Sequence, residues 1–202
     1  TVVCPVTFPY TLPDGDTLTC TYSRSLPDGT SLTNTATATL TSGSWLYIGQ
    51  YTYDAVNQVY VDTPGTLSIL DGGQLEIAGS ASVYGMWVGQ VASQIVNAGT
   101  LVKTGADDST VYAGVELINS GTLDVQAGTL WFQGDVTSTG TVTVGIGATL
   151  GLSGTATFSA DSVFDVDGTL HIQGGTTTIA GSQTIGAVIV TSGTLVLNSD
   201  AT

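Results

Sequence analysis

The chain of 202 residues carries only two basic residues, Arg24 and Lys103, against 16 acidic ones, for a formal net charge of −14. Phosphate backbones and anionic lipid surfaces are held by clustered Lys and Arg, so nucleic acid and charged membrane surfaces are excluded as partners. Apolar residues make up 42% and charged residues 9%, with 27 glycines, the composition of a folded, turn-rich β protein rather than of a disordered chain or an average enzyme.

The length allows one large β domain or two small ones. No apolar run reaches the ~18 residues of a membrane-spanning helix, so a soluble chain with no membrane insertion is expected. It starts at Thr1 without Met or a leader pattern, as expected of a processed chain or of a segment of a longer one. Apolar spacing of the i, i+3, i+4 kind is interrupted everywhere by Gly, Thr or Ser before two turns accumulate, so an all-β fold is expected.

Residues 1–43 form the first predicted region. Strict alternation places Leu18, Cys20 and Tyr22 on one side of a strand, opposite Thr17, Thr19, Thr21 and Ser23. Leu32, Ala36, Ala38 and Leu40 likewise share a face opposite Thr33, Thr35, Thr37 and Thr39. This is the pattern of strands with one solvated side. Two copies of Leu-Pro-Asp-Gly, at 12–15 and 26–29, supply hairpin turns between them, with Pro presetting φ and Gly accepting the left-handed position. With Val2, Cys4, Val6 and Phe8 on the buried face of the first strand, Cys4 and Cys20 fall on one side of adjacent strands. A disulfide between them is geometrically reasonable, and two buried free thiols are the alternative.

Residues 44–202 carry a five-residue cassette, Gly-Thr-Leu-polar-aliphatic or a near variant, recurring from Gly65 to Gly193. Several intervals are seven residues, and Gly147 to Gly168 and Gly154 to Gly175 span 21, or three cassettes. That periodicity predicts a parallel β-solenoid with three short strands per turn. Asn97 and Asn119 would then stack as a ladder at a corner, and Leu123, Leu130, Leu150, Leu170 and Leu195 would line the core, with His171 pointing outward. An antiparallel meander with two-residue turns is the competing geometry.

The run Val3-Cys4-Pro5-Val6-Thr7-Phe8-Pro9-Tyr10, followed by Leu18-Thr19-Cys20-Thr21-Tyr22 and Thr33-Asn34-Thr35-Ala36-Thr37-Ala38, resembles the closing half of Ig-like β-sandwich repeats in microbial surface proteins. Residues 60–202 resemble, in the texture of their Gly-Thr-Leu and Gly-Gly cassettes, the β-helical and haemagglutinin-type repeats of secreted adhesins. Both resemblances imply an exported structural or adhesive protein, and neither carries catalytic residues across.

Asp107-Asp108 is the acidic doublet and reads as a solvated loop; Asp165 and Asp167 share a strand face without the later Glu of a calcium loop. His171 is the sole histidine and lacks the acidic orienter and activated serine of a triad. Lys103 reads as a surface cation rather than an isopeptide partner. Trp45, Tyr47, Tyr51, Tyr53 and Tyr60 are capable of stacking sugars but read as a core junction sealing the first coil. Thr137, Thr139, Thr141 and Thr143 read as one row, with Thr155/Thr157 and Thr176/Thr178 as further pairs, too irregular for an ice-binding array.

The sequence thus predicts a small sandwich-like segment, 1–43, followed by a solenoid, 44–202, with no catalytic, cofactor or metal site. The expected function is structural: a subunit of an extracellular or cell-surface filament, sheath or layer, homopolymerising by β-strand addition or end-to-end stacking. Val2, Val6, Phe8, Leu18, Tyr22, Leu32 and Leu40 are the candidate assembly residues, because three strands cannot enclose a sandwich core by themselves. A glycan-binding adhesin segment is the alternative, and a polysaccharide-active enzyme the third.

Overall fold

The computed structural model describes residues 37–54, 57–85, 87–88 and 91–198, and within them every regular element is a β-strand. The first coil is β1 (Thr37–Leu40), β2 (Trp45–Ile48), an inserted antiparallel pair β3 (Gln50–Asp54) and β4 (Val59–Thr63), and β5 (Thr66–Ile69). The second is β6 (Gln74–Ala78), β7 (Ser82–Gly85), the short β8 (Trp87–Val88) and β9 (Val91–Asn97). Three regular coils follow: β10 (Thr100–Thr104), β11 (Ser109–Val111) and β12 (Val115–Asn119); β13 (Thr122–Val125), β14 (Thr129–Phe132) and β15 (Val136–Ser138); β16 (Thr141–Val144), β17 (Thr149–Leu152) and β18 (Ala156–Phe158). In the last two coils a single long strand, β19 (Val163–Ile172) or β21 (Ser182–Val190), covers two faces, and β20 (Thr176–Ile179) or β22 (Thr194–Leu197) the third.

Equivalent strands pair in parallel from coil to coil, so the fold is the predicted three-sided parallel β-solenoid and the antiparallel meander is excluded. One face stacks β5, β9, β12, β15, β18, β20 and β22; the other two merge into one sheet because β19 and β21 run through the corner unbroken. Among the described residues, antiparallel pairing is confined to β3 with β4 and the short β8 with β9.

The cassette has a mechanical explanation at the corner occupied by Gly99, Gly121 and Gly140. A Cβ added to Gly121 would overlap the carbonyl oxygen of Gly99, and one added to Gly140 the carbonyl oxygen of Gly121, so successive backbones approach closer than any side chain permits. The same carbonyls accept from the next cassette: Thr122 N donates to Gly99 O and Thr141 N to Gly121 O, both at 2.8 Å. Thr, the second cassette residue, then faces outward, and the third, Leu or Val, turns inward. Leu130, Leu150 and Leu170 stand in register on the second face, all fully buried, while Leu123 is buried on the first face and Leu195 packs partly against the core on the third. The cassette therefore serves all three faces.

The N-terminal boundary lies earlier than 44. Thr37–Leu40, assigned from sequence to the sandwich-like segment, pairs in parallel with β6 as the first strand of the solenoid, and Leu40 packs partly buried against its core. Of the other candidates, Cys4, Cys20, Val2, Val6, Phe8, Leu18, Tyr22 and Leu32 lie outside the described residues.

Candidate functional site

The solenoid interior is mostly apolar, and one of its corners carries a polar ladder. Asn97 Nδ2 donates to Asn119 Oδ1 at 2.7 Å and to the Thr122 carbonyl at 2.8 Å, and Asn119 Nδ2 donates to Ser138 Oγ at 2.9 Å. This is the expected Asn ladder, lengthened by a serine. It stops below at Ile69, which is in register with Asn97, and among the described residues Asn97 Oδ1 has no hydrogen-bond partner.

Lys103 overturns its predicted surface position. It stands in register with Ile77 and Val125 in an inward row and is fully buried. Its stem fills an aliphatic place, while Nζ reaches the corner and donates to the carbonyls of Thr104 (2.6 Å) and Gly105 (2.9 Å). Burial pulls its pKa below the usual lysine value, an effect opposed by the charges of Asp107 and Asp108 on the neighbouring exposed loop. The alternation of the strand decides the matter, since Leu101 and Lys103 share a parity and Leu101 must face the core.

The outward surfaces differ from face to face. On the first, acids and hydroxyls alternate: Glu76 accepts from Thr39 (3.0 Å) and Thr104 (2.6 Å), and Asp124 from Thr143 (2.7 Å) and Gln126 (2.6 Å). Asp165 and Asp167 are exposed, as expected. On the third face Thr137, Thr157 and Thr178 stack in register. Thr141 and Thr143 belong to the first face, so the predicted row from Thr137 to Thr143 is divided by the corner at Gly140.

The second face is aromatic. Tyr47, Tyr84 and Tyr112 stack one per coil, with ring centroids 5.1 and 4.2 Å apart, and Trp45, 51% exposed, meets Tyr84 edge-on. Trp45 and Tyr47 thus lie outside the coil and do not seal its core, because the inward places of β2 belong to Leu46 and Ile48. A hydrogen bond with Tyr112, together with burial, pushes the Tyr84 phenol up to about 12. Two coils further on, Trp131, Gly151 and His171 occupy one outward register line. Trp131 and His171 meet edge to face at 5.0 Å, and His171 Nε2 lies 3.2 Å from Thr191 Oγ1. His171 was expected to face outward, and it does; its partner Trp131 carried no sequence signal beyond its parity.

Among the described residues no three His, Cys, Asp or Glu side chains are grouped to hold a metal ion, and no helix is long and apolar enough to cross a membrane. Comparison with protein-family models, with curated proteins and with solved structures gave no significant match. The class defined by the fold is that of the parallel β-solenoids; the Ig-like and adhesin-like resemblances rest on residue pattern alone.

Proposed function

We propose that the protein is a structural subunit of an extracellular or cell-surface filament, sheath or layer, in which solenoids join end to end, and that it is not an enzyme. The observation supporting this is the apolar surface of the coil formed by β21 and β22, the last among the described residues. Leu170, Ile172 and Ile179 are fully buried, yet their register partners one coil on, Val188, Val190 and Leu197, are 43%, 47% and 51% exposed. They form an apolar surface rimmed by strand edges that no other described residue pairs with, a feature that a soluble monomer ordinarily covers or charges. No charged side chain blunts β21 or β22.

The occupant proposed for this surface is a coil from a second copy of the chain. Each described coil binds the next by parallel pairing, so the surface of β21 and β22 has the shape and hydrogen-bonding pattern that another coil fits. Such a head-to-tail contact is heterologous and propagates as a fibre unless rotation closes a ring. With two basic residues in the chain, one of them the buried Lys103, the contact relies on main-chain hydrogen bonds and apolar burial, and added salt should not dissolve it.

Sedimentation velocity of the intact chain, with electron microscopy of the same samples, tests this. A concentration-dependent series of assemblies is expected, and Val190→Asp combined with Leu197→Asp should reduce it to monomer while circular dichroism stays that of the native chain. A sharp monomer at all concentrations and salt levels would overturn the proposal.

A further inference from the structure

The indole of Trp131 lies face down on Gly151. A Cβ added to Gly151 would fall on Trp131 Cε3, with Cδ2 and Cζ3, the two ring atoms bonded to Cε3, equidistant and only slightly farther away. That pattern is an approach along the ring normal; an approach from the ring's edge would leave both neighbours much more distant. Glycine at 151 is what lets the ring lie flat, since any side chain there would lift it from the sheet. One face of the indole therefore covers backbone and the other looks away from the solenoid, with Trp131 half-buried overall.

His171, one coil beyond Gly151, stands against this floor as a wall, its ring inclined 61° to the indole. Its Nε2 is engaged with Thr191, leaving Nδ1 for a ligand. Polar side chains without charge flank the platform. Thr129, Thr149 and Thr169 run in register along one side, and exposed Gln133 and Gln173 follow Phe132 and Ile172 on the other.

We infer that Trp131 and His171 form a binding site for a neutral glycan, the indole stacking on the C–H face of a pyranose and the imidazole and glutamine amides receiving its hydroxyls. An apolar floor with a few oriented polar groups is the chemistry of a small-ligand site. Charge selects among ligands that stack. A nucleic acid would also stack on an indole, but its phosphates meet a chain of net charge −14, and among the described residues no lysine or arginine stands beside the platform, Lys103 being sealed in the core. Uronate, sialate and sulfate sugars are disfavoured for the same reason. The site lies on a lateral face, with His171 paired through its strand to Ile189 of the last described coil and bonded to Thr191, the neighbour of Val190.

The competing explanation is that Trp131 only shields the glycine backbone beneath it. Cellohexaose, laminarihexaose and mannohexaose would be titrated into the intact chain, following tryptophan fluorescence and saturation transfer from protein to sugar protons. At least one should bind, and polygalacturonate should not. Trp131→Ala should weaken binding by about tenfold or more. Gly151→Ala, which keeps the indole but tilts it off the sheet, should also weaken binding, whereas Trp45→Phe should leave it unchanged. Thermal melts of each variant establish that the fold persists. Absence of binding by all three neutral sugars, undiminished binding by Trp131→Ala, or equal binding of polygalacturonate would overturn the inference.

Discussion

Asn97 and Asn119, 22 residues apart in the chain, are joined side chain to side chain at 2.7 Å because each ends the third-face strand of successive coils. The bond lies in a buried corner, where losing a partner exposes a polar group to a medium that cannot replace it. Asn119→Ala should cost about 1–3 kcal/mol, since it removes one of the two acceptors of Asn97 Nδ2 and the amide that donates to Ser138 Oγ. Chemical denaturation measures this; a cost no larger than that of an average surface substitution would mean that the ladder is not what holds the corner.

Leu170 and His171 are adjacent and face opposite ways. Leu170→Ala opens a void in the row shared with Leu130 and Leu150 and should destabilise by about 2–5 kcal/mol. His171→Ala removes an outward edge contact and should change stability by only about 0.5 kcal/mol. Thermal unfolding of the pair checks the register, because a slip by one residue would exchange the two results.

Thr177 occupies an inward place between Ala156 and Leu195, and its buried Oγ1 finds no hydrogen-bond partner among the described residues. Replacing the hydroxyl by a methyl of nearly equal size removes an uncompensated polar group. Thr177→Val should therefore stabilise by about 1 kcal/mol, read as a raised denaturation midpoint at unchanged m-value.

Lys103 makes stability depend on pH. Its folded pKa is lowered below the usual 10.5, so between the two values the unfolded chain binds more protons than the folded one. Stability should accordingly rise with pH through that window and level off above 10.5. Lys103→Met fills the same row between Ile77 and Val125 without an ammonium and should flatten the rise. Denaturation at a series of pH values up to about 10, the usual phenol pKa, avoids the opposite trend expected as tyrosines ionise. Equal slopes in both proteins would refute this.

The solenoid and its three strands per coil were legible because the constraint is local and repeated. A corner that admits only Gly, an outward Thr and an inward Leu recur along the chain, and the 21-residue interval falls within the 18 to 22 residues that separate register partners from β10 onward. The position of Asn119 above Asn97 follows from the repeat of Asn two residues before the Gly-Thr-Leu cassette, 22 residues on. Lys103 was misplaced because residue type outweighed parity: a cation was assigned to the surface although its alternation with Leu101 pointed inward. Trp45 and Tyr47 read, with Tyr51, Tyr53 and Tyr60, as a seal because a coil end must be capped, yet these two lie outside because Leu46 and Ile48 take the inward places of β2.

By itself, then, the sequence determined the handover of backbone from corner to corner and the alternation of inside and outside, since both depend on residues at most a few positions apart. What stacks on what was decided only by the tertiary structure. Coil lengths vary with the insertions, from Thr37 paired with Gln74 to Thr122 paired with Thr141, so a residue's neighbour along the axis cannot be read from one fixed period. The meeting of Trp131, Gly151 and His171, and the enclosure of Lys103 between Ile77 and Val125, arise from that stacking, because in a parallel solenoid each side chain's nearest companions belong to the coils on either side of it.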